Sequence, residues 1–263
     1  MSNPEPPVDY VEAAAEVARL AGNVALGRFR KRFTIEWKAD GTPVTDADRG
    51  AESKAREWIE SHFPGDGILG EEFGTTRPEA ARRWILDPID GTKTFVRGVP
   101  LWGTLVAVAQ GEEILCGAAY FPAVGEELVA APGRGCWWNG ARSKVSQVDR
   151  LGSATLLITD ERFLTHPHKL RPWRELASRA AMIRTWGDCY GYLLVATGRA
   201  EVMVDEVLSP WDAAALLPIV REAGGAFTDW AGNPTAFGGD AIATNAALAS
   251  EVRRSLRTPP DSR

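Results

Sequence analysis

Between residues 9 and 31, apolar positions return every three or four residues: Val11, Ala14, Ala15, Ala18, Ala21, Gly22 and Ala25. That spacing predicts an amphipathic helix whose apolar face is made mostly of small residues. A second helix is expected over 46–63, "DADRGAESKAREWIESHF", with Asp46 as its N-cap and Asp48 in its first turn. The period then shortens to that of strands. "GILGEEFG" and "RRWILDPIDG" open a run that continues through "LWGTLVAVAQG", "EILCGAAYFPAVGE" and "ELVAAPGRGCWWNG", with Gly and Pro setting the turns. This run predicts an antiparallel sheet beside two N-terminal helices.

Past about residue 145, strands alternate with helices. Strand "ATLLITD", helix "PWRELASRA", strand "AMIRTWG" and helix "DCYGYLLVATGRA" come first. Strand "EVMVDE", one long helix "SPWDAAALLPIVREAGG" and strands "AFTDW" and "DAIATN" follow. The chain therefore divides into an α+β half, 1–145, and an α/β half, 146–263. There are no internal repeats, and nothing is of low complexity beyond two short tails.

Composition narrows the function classes. A chain of 263 residues with a formal net charge of -5 lacks the basic face that phosphate-backbone binding needs, so nucleic acid is excluded as a partner. No apolar stretch approaches the roughly 18 residues of a membrane span. The opening "MSNPEPPVDY" has neither a positive flank nor an apolar core, so no signal peptide is expected. Cys116, Cys136 and Cys189, at long unrelated spacings, fit packing roles in a reducing cytoplasm. His62, His166 and His168 do not form a metal-ligand pattern. A metal site here would be built from carboxylates, which select hard cations such as Mg²⁺.

The carboxylates carry that chemistry. "WILDPIDGTKTF" ends a buried strand with Asp87 and Asp90, and like charges so close repel unless a cation sits between them. Asp48 at a helix start, Glu71 in "GEE" and Asp212 in "PWDAA" also stand at element ends beside Gly, Thr or a helix start. Singly, Asp48 and Asp212 could favour a helix N-terminus, Asp90-Gly91 could be a turn, and Glu71 could be solvated. Converging, they would carry a charge that two or three divalent cations offset. Pro88 fixes the backbone so that Asp87 and Asp90 need not point the same way. Gly91 lets the chain turn into a short helix starting near Thr92, whose first amides would face an anion.

On these motifs the chain resembles the inositol-monophosphatase-like, Mg²⁺-dependent phosphatases. "GEE", "WILDPIDGTKTF" and "PWDAAALLPIVREAGG" carry the resemblance, with "VTDAD", "GRGCWWNG" and "GYLLVATGRAEV" in support, and it covers nearly the whole chain. The resemblance implies a layered αβαβα sandwich with the site between the halves, a homodimer, and two or three Mg²⁺ per site. It implies that Glu71, Asp87, the Ile89 carbonyl, Asp90 and Asp212 hold Mg²⁺, with Asp48 a weaker or supporting carboxylate. Thr92, with Glu71, would orient and deprotonate the attacking water, and Gly91 and Thr92 would meet the phosphate.

Within that family the chain is most similar to the histidinol-phosphate branch, on "GDCYGY" and "DPIDGTKTFVRGVP". Asp188 stands where inositol enzymes carry a small or hydroxylated residue, and Asp205 matches an acidic substrate position. Both suit a substrate bearing an ammonium and an imidazole. The plain alternatives are a helix N-cap for Asp188 and a solvated strand end for Asp205. Trp102, Lys93 and Arg184 are weaker candidates for the pocket; Trp102 could simply pack, and Lys93 could be solvated. An inositol or general polyol monophosphatase is the rival enzyme. A metal-binding module without catalysis is the rival of another class, and the full ligand set argues against it. "DPIDG" lacks the alternating oxygen ligands of an EF-hand loop.

Overall fold

The computed structural model describes residues 9–31, 34–37 and 43–257. The polar opening segment therefore lies outside the described residues up to residue 8. Helix α1 (Tyr10–Leu26) is capped by Asp9 and buries the small-residue face anticipated above. A hairpin of β1 (Ile35–Trp37) and β2 (Pro43–Thr45), not anticipated, leads into α2 (Asp46–His62). The N-cap of α2 is Thr45 rather than Asp46, because its hydroxyl accepts from the Ala47 and Asp48 amides while Asp48 reaches back to the Thr45 amide.

Strands β3 (Gly67–Gly70), β4 (Gly74–Thr76) and β5 (Arg83–Asp90) precede a short helix, α3 (Thr92–Val96). Then come β6 (Gly103–Gln110), β7 (Glu113–Phe121), β8 (Glu126–Ala131), β9 (Gly135–Trp138) and β10 (Ala141–Arg142). They form one sheet in the order β10-β9-β8-β7-β6-β5-β3-β4. The expectation of an antiparallel sheet needs one correction: β3 and β5 run parallel. β4 folds back along the outer side of β3, so the chain must cross to the inner side before it can continue, and β5 then runs in the direction of β3.

The second sheet takes β11 (Thr155–Ile158), β12 (Met182–Arg184), β13 (Val202–Asp205), β14 (Ala226–Thr228) and β15 (Ala241–Thr244), in the order β12-β11-β13-β15-β14. Its helices are α4 (Pro167–Ala177), α5 (Cys189–Ala196), α6 (Pro210–Ala213), α7 (Leu216–Glu222) and α8 (Ala249–Leu256). Three expectations change here. α4 begins before Pro172 and takes that proline inside, the predicted long helix breaks into α6 and α7, and α8 forms near the C-terminal tail.

Strand periodicity sorts the layers. Leu105, Ala107 and Ala109 of β6 face a central core with α5, α7 and Met203 of β13, while Val106 and Val108 face α1 and α2. Val202 and Val204 face the outer core with Trp173 of α4 and Val252 of α8. The layers are thus α1 and α2, large sheet, α5 and α7, small sheet, α4 and α8. Among the described residues no helix is long and apolar enough to cross a membrane.

Candidate active site

β5 delivers the first carboxylates. In an unbroken strand, residues three apart point to opposite faces. Here the pairing with β6 slips between Asp87, opposite Leu105, and Asp90, opposite Gly103, so three steps on β5 span two on β6. This bulge at Pro88-Ile89 turns both aspartates into one cavity, although the sequence reading let them diverge. The Thr104 hydroxyl holds the Pro88 carbonyl at 2.8 Å and Asp87 Oδ1 takes the Ile89 amide at 3.0 Å. Gly91, at φ 89°, then turns the chain into α3.

Across the cavity, α6 supplies Asp212. The carboxylate oxygens of Asp87, Asp90 and Asp212 lie within 4.8 Å of one another. Asp212 Oδ2 accepts the Ser209 amide at 2.7 Å in a capping-box arrangement at the start of α6. Asp48 does the same for α2, taking the Thr45 amide and hydroxyl at 2.8 and 2.6 Å through Oδ2. Its other oxygen is 3.2 Å from the Thr92 hydroxyl, which also lies 3.0 Å from the Ile89 carbonyl.

Electrostatics mark the cluster. Burial, then the charges of Glu71, Asp90 and Asp212, hold Asp87 well above the usual carboxylate range. Burial, then Asp212 and Asp188, does the same to Asp90. Burial pushes Asp48 and Asp212 up to about 6 and Asp205 up to about 7. Ionised groups in such an arrangement are tolerable only around a cation, and an all-oxygen donor set suits Mg²⁺.

The cavity, of about 170 Å³, is lined by Glu71, Asp87, Ile89, Asp90, Gly91, Thr92 and Lys93 from one half and by Asp188, Asp205, Glu206 and Asp212 from the other. Asp188 is not a side-chain cap of α5. Its carboxylate takes the Thr94 hydroxyl at 3.2 Å, and the Cys189 amide is met by Asp90 instead. Asp205 is not a solvated strand end. It is buried, with Tyr192 OH at 3.0 Å on Oδ2 and the Thr159 amide at 3.3 Å on Oδ1. Trp102 does not line the cavity but packs fully buried between Phe95 and Phe29. Arg184 lies exposed on edge strand β12 beside Trp186, outside the cavity lining.

Two residues escaped the sequence reading. Glu206 lines the cavity while holding the Thr165 amide at 2.8 Å. Glu52 is wholly buried and takes the amides of Glu72 and Phe73, next to Glu71 in the chain. Its place four residues after Asp48, on the face carrying Ala47, Ala51 and Ala55, is the signal that could have found it.

The raised pKa values have a sign. An unfolded aspartate titrates at its ordinary 3.8, so folded Asp48, Asp212 and Asp205 bind extra protons up to about 6 to 7. Their contribution to stability is complete below that ordinary value and is lost as the pH rises through the folded values. The metal-free protein is therefore expected to melt at a lower temperature at about pH 8 than at about pH 5.5, and Mg²⁺ should restore more at the higher pH. Thermal scans at both pH values, with Mg²⁺ or with a chelator, check this. Superimposed curves at the higher pH would mean the carboxylates form no cation site.

Residues 8–258 match the family model described as the inositol monophosphatase family. The chain is 42% identical over 233 residues to a protein of Chlorobaculum parvum named histidinol-phosphatase, covering 88% of this chain and 90% of that one. It is 42% identical over 223 residues to the histidinol-phosphatase of Mycobacterium tuberculosis, covering 83% and 86%. An inositol monophosphatase structure from Zymomonas mobilis superposes with a TM-score of 0.83 at 32% identity, over 94% of this chain and 97% of that one.

Proposed function

The chain belongs to the inositol monophosphatase family and is a phosphatase, and from that premise we propose that it hydrolyses L-histidinol phosphate to L-histidinol with Mg²⁺ as cofactor. The observation that carries the substrate is the pair Asp188 and Asp205. Both carboxylates face the cavity that holds the metal-site aspartates, and neither is a member of the close cluster. An ammonium and an imidazolium call for carboxylates as counter-charges, whereas a neutral polyol needs no charge there. The similarity to proteins named histidinol-phosphatase supports the same reading.

In this reading Glu71, Asp87, the Ile89 carbonyl, Asp90 and Asp212 hold Mg²⁺, with Asp48 in support. Cations held there would draw charge from the phosphoryl oxygens and acidify water. Thr92 accepts a proton from the attacking water while its own proton passes to Asp48 Oδ1, 3.2 Å away. The sequence reading paired Thr92 with Glu71; the hydroxyl's distance to Asp48 supports assigning the proton relay to Asp48. Gly91 and Thr92, at the cavity wall, offer the first amides of α3 to the phosphate.

Phosphate release from histidinol phosphate, inositol 1-phosphate and phosphoadenosine phosphate, compared side by side, tests the proposal. The efficiency kcat/KM should be highest for histidinol phosphate, and a chelator should abolish release from every substrate. Higher efficiency on inositol 1-phosphate would move the enzyme to the polyol branch of the family.

A further inference from the structure

We infer that Glu52 is a positioning residue of the metal site: its buried carboxylate holds the turn that aims Glu71 into the cavity. The inference rests on the reading of Glu71 as a metal ligand.

Glu52 is 0% exposed, on the inner face of α2. Its Oε2 accepts the Glu72 amide at 2.7 Å and its Oε1 accepts the Phe73 amide at 3.2 Å. Arg56, one turn further along α2, donates Nε to Oε1 at 2.7 Å. The same guanidinium holds Thr76 Oγ1 at 2.8 Å and the Gly74 carbonyl at 2.5 Å. The β3–β4 turn is thus gripped along its length by one ion pair.

Glu71 sits at the start of that turn. Its own amide is tied to the Leu86 carbonyl of β5 at 3.2 Å, and the next two amides are tied to Glu52. Backbone direction is therefore set on both sides of the residue whose charge bears on Asp48, Asp87 and Asp212. Gly70 permits the arrangement, because a Cβ there would stand 2.0 Å from Glu52 Oε1.

A neutral side chain cannot replace this one. Two amides and a guanidinium bring donors to both oxygens, whereas glutamine offers one acceptor and turns an NH₂ toward the remaining donors. A buried donor is then left unsatisfied, and the turn must shift to relieve it. Such residues behind a ligand typically govern metal affinity by roughly 10- to 100-fold.

The test is equilibrium binding of Mn²⁺, a spin-active probe for the Mg²⁺ site, to the intact protein by electron paramagnetic resonance. Glu52→Gln should raise the Mn²⁺ Kd by about tenfold or more, in the same direction as Glu71→Gln. Glu52→Asp, which keeps the charge on a shorter arm, should recover part of the loss. If wild type binds Mn²⁺, Glu71→Gln weakens it and Glu52→Gln leaves it unchanged, the positioning role is overturned while the metal reading stands. If wild type binds no Mn²⁺, or Glu71→Gln leaves binding unchanged, the metal reading itself fails. Should Glu52→Gln not fold, Arg56→Met decides. It loosens the same grip from the partly exposed side and should raise the Kd in the same direction by a smaller factor. An unchanged Kd in that variant overturns the inference.

Discussion

Asp90→Asn is expected to lower kcat/KM for phosphate release by roughly a thousandfold or more at saturating Mg²⁺, equivalent to about 4 kcal/mol of lost transition-state stabilisation. The magnitude follows from removing one charge from a site proposed to hold cations against a phosphate. The fold should survive. Asparagine keeps the shape and one oxygen, which can still meet the Cys189 amide. It also removes repulsion from Asp212, Asp188 and Asp205, so the metal-free variant should melt at or above the wild-type temperature. Opposite signs for activity and metal-free stability are the signature of a ligand rather than a packing residue. Near-normal turnover by Asp90→Asn in Mg²⁺ would sink the metal-site reading.

Asp188→Asn should change which substrate is preferred. The backbone at Asp188 sits at φ 50° and ψ -156°, strained for any residue with a Cβ, so the near-isosteric asparagine adds no new strain and is the cleaner replacement. It can keep the Thr94 contact while losing the charge. A substrate ammonium or imidazolium then enters the cavity without its counter-charge. Losing a charge-assisted hydrogen bond costs ~1.5–3 kcal/mol, or roughly 10- to 150-fold. Inositol 1-phosphate has no such charge to lose and should be affected little. Asp188 also bears electrostatically on Asp90 and Asp212, so metal affinity can move for both substrates. The readout is therefore the ratio of the two kcat/KM values at saturating Mg²⁺. A ratio that does not move removes Asp188 from substrate recognition.

The legible part of this site was the part written in contiguous motifs. "DPIDGT" puts Asp87 and Asp90 at a strand end and Thr92 at the helix start that follows, and the downstream "WD" places Asp212 at a helix start. What stayed hidden depends on contacts between distant segments. Glu52 looks like one more polar residue of a charged helix until Gly70 is seen against it. The convergence of Asp87 and Asp90 needs the bulge against β6, which a strand's own period cannot announce. β3 and β5 run parallel because of the side on which β4 pairs, a choice between sheet edges and not between residues. Trp102 shows the opposite error: proximity to a motif suggested the pocket, while an aromatic cluster with Phe29 and Phe95 had the stronger claim on it.

Asp48 and Asp212 each spend one oxygen on the amide that opens a helix, at Thr45 and at Ser209. Two selective pressures therefore act on one side chain. A substitution at either position that leaves no acceptor oxygen removes a cap worth about 1 kcal/mol along with a carboxylate of the cleft. A lineage released from selection on turnover would still need an acceptor oxygen at these two positions, and asparagine supplies one without the buried charge. In such a lineage the caps would outlast the chemistry, with the pair drifting from aspartate to asparagine.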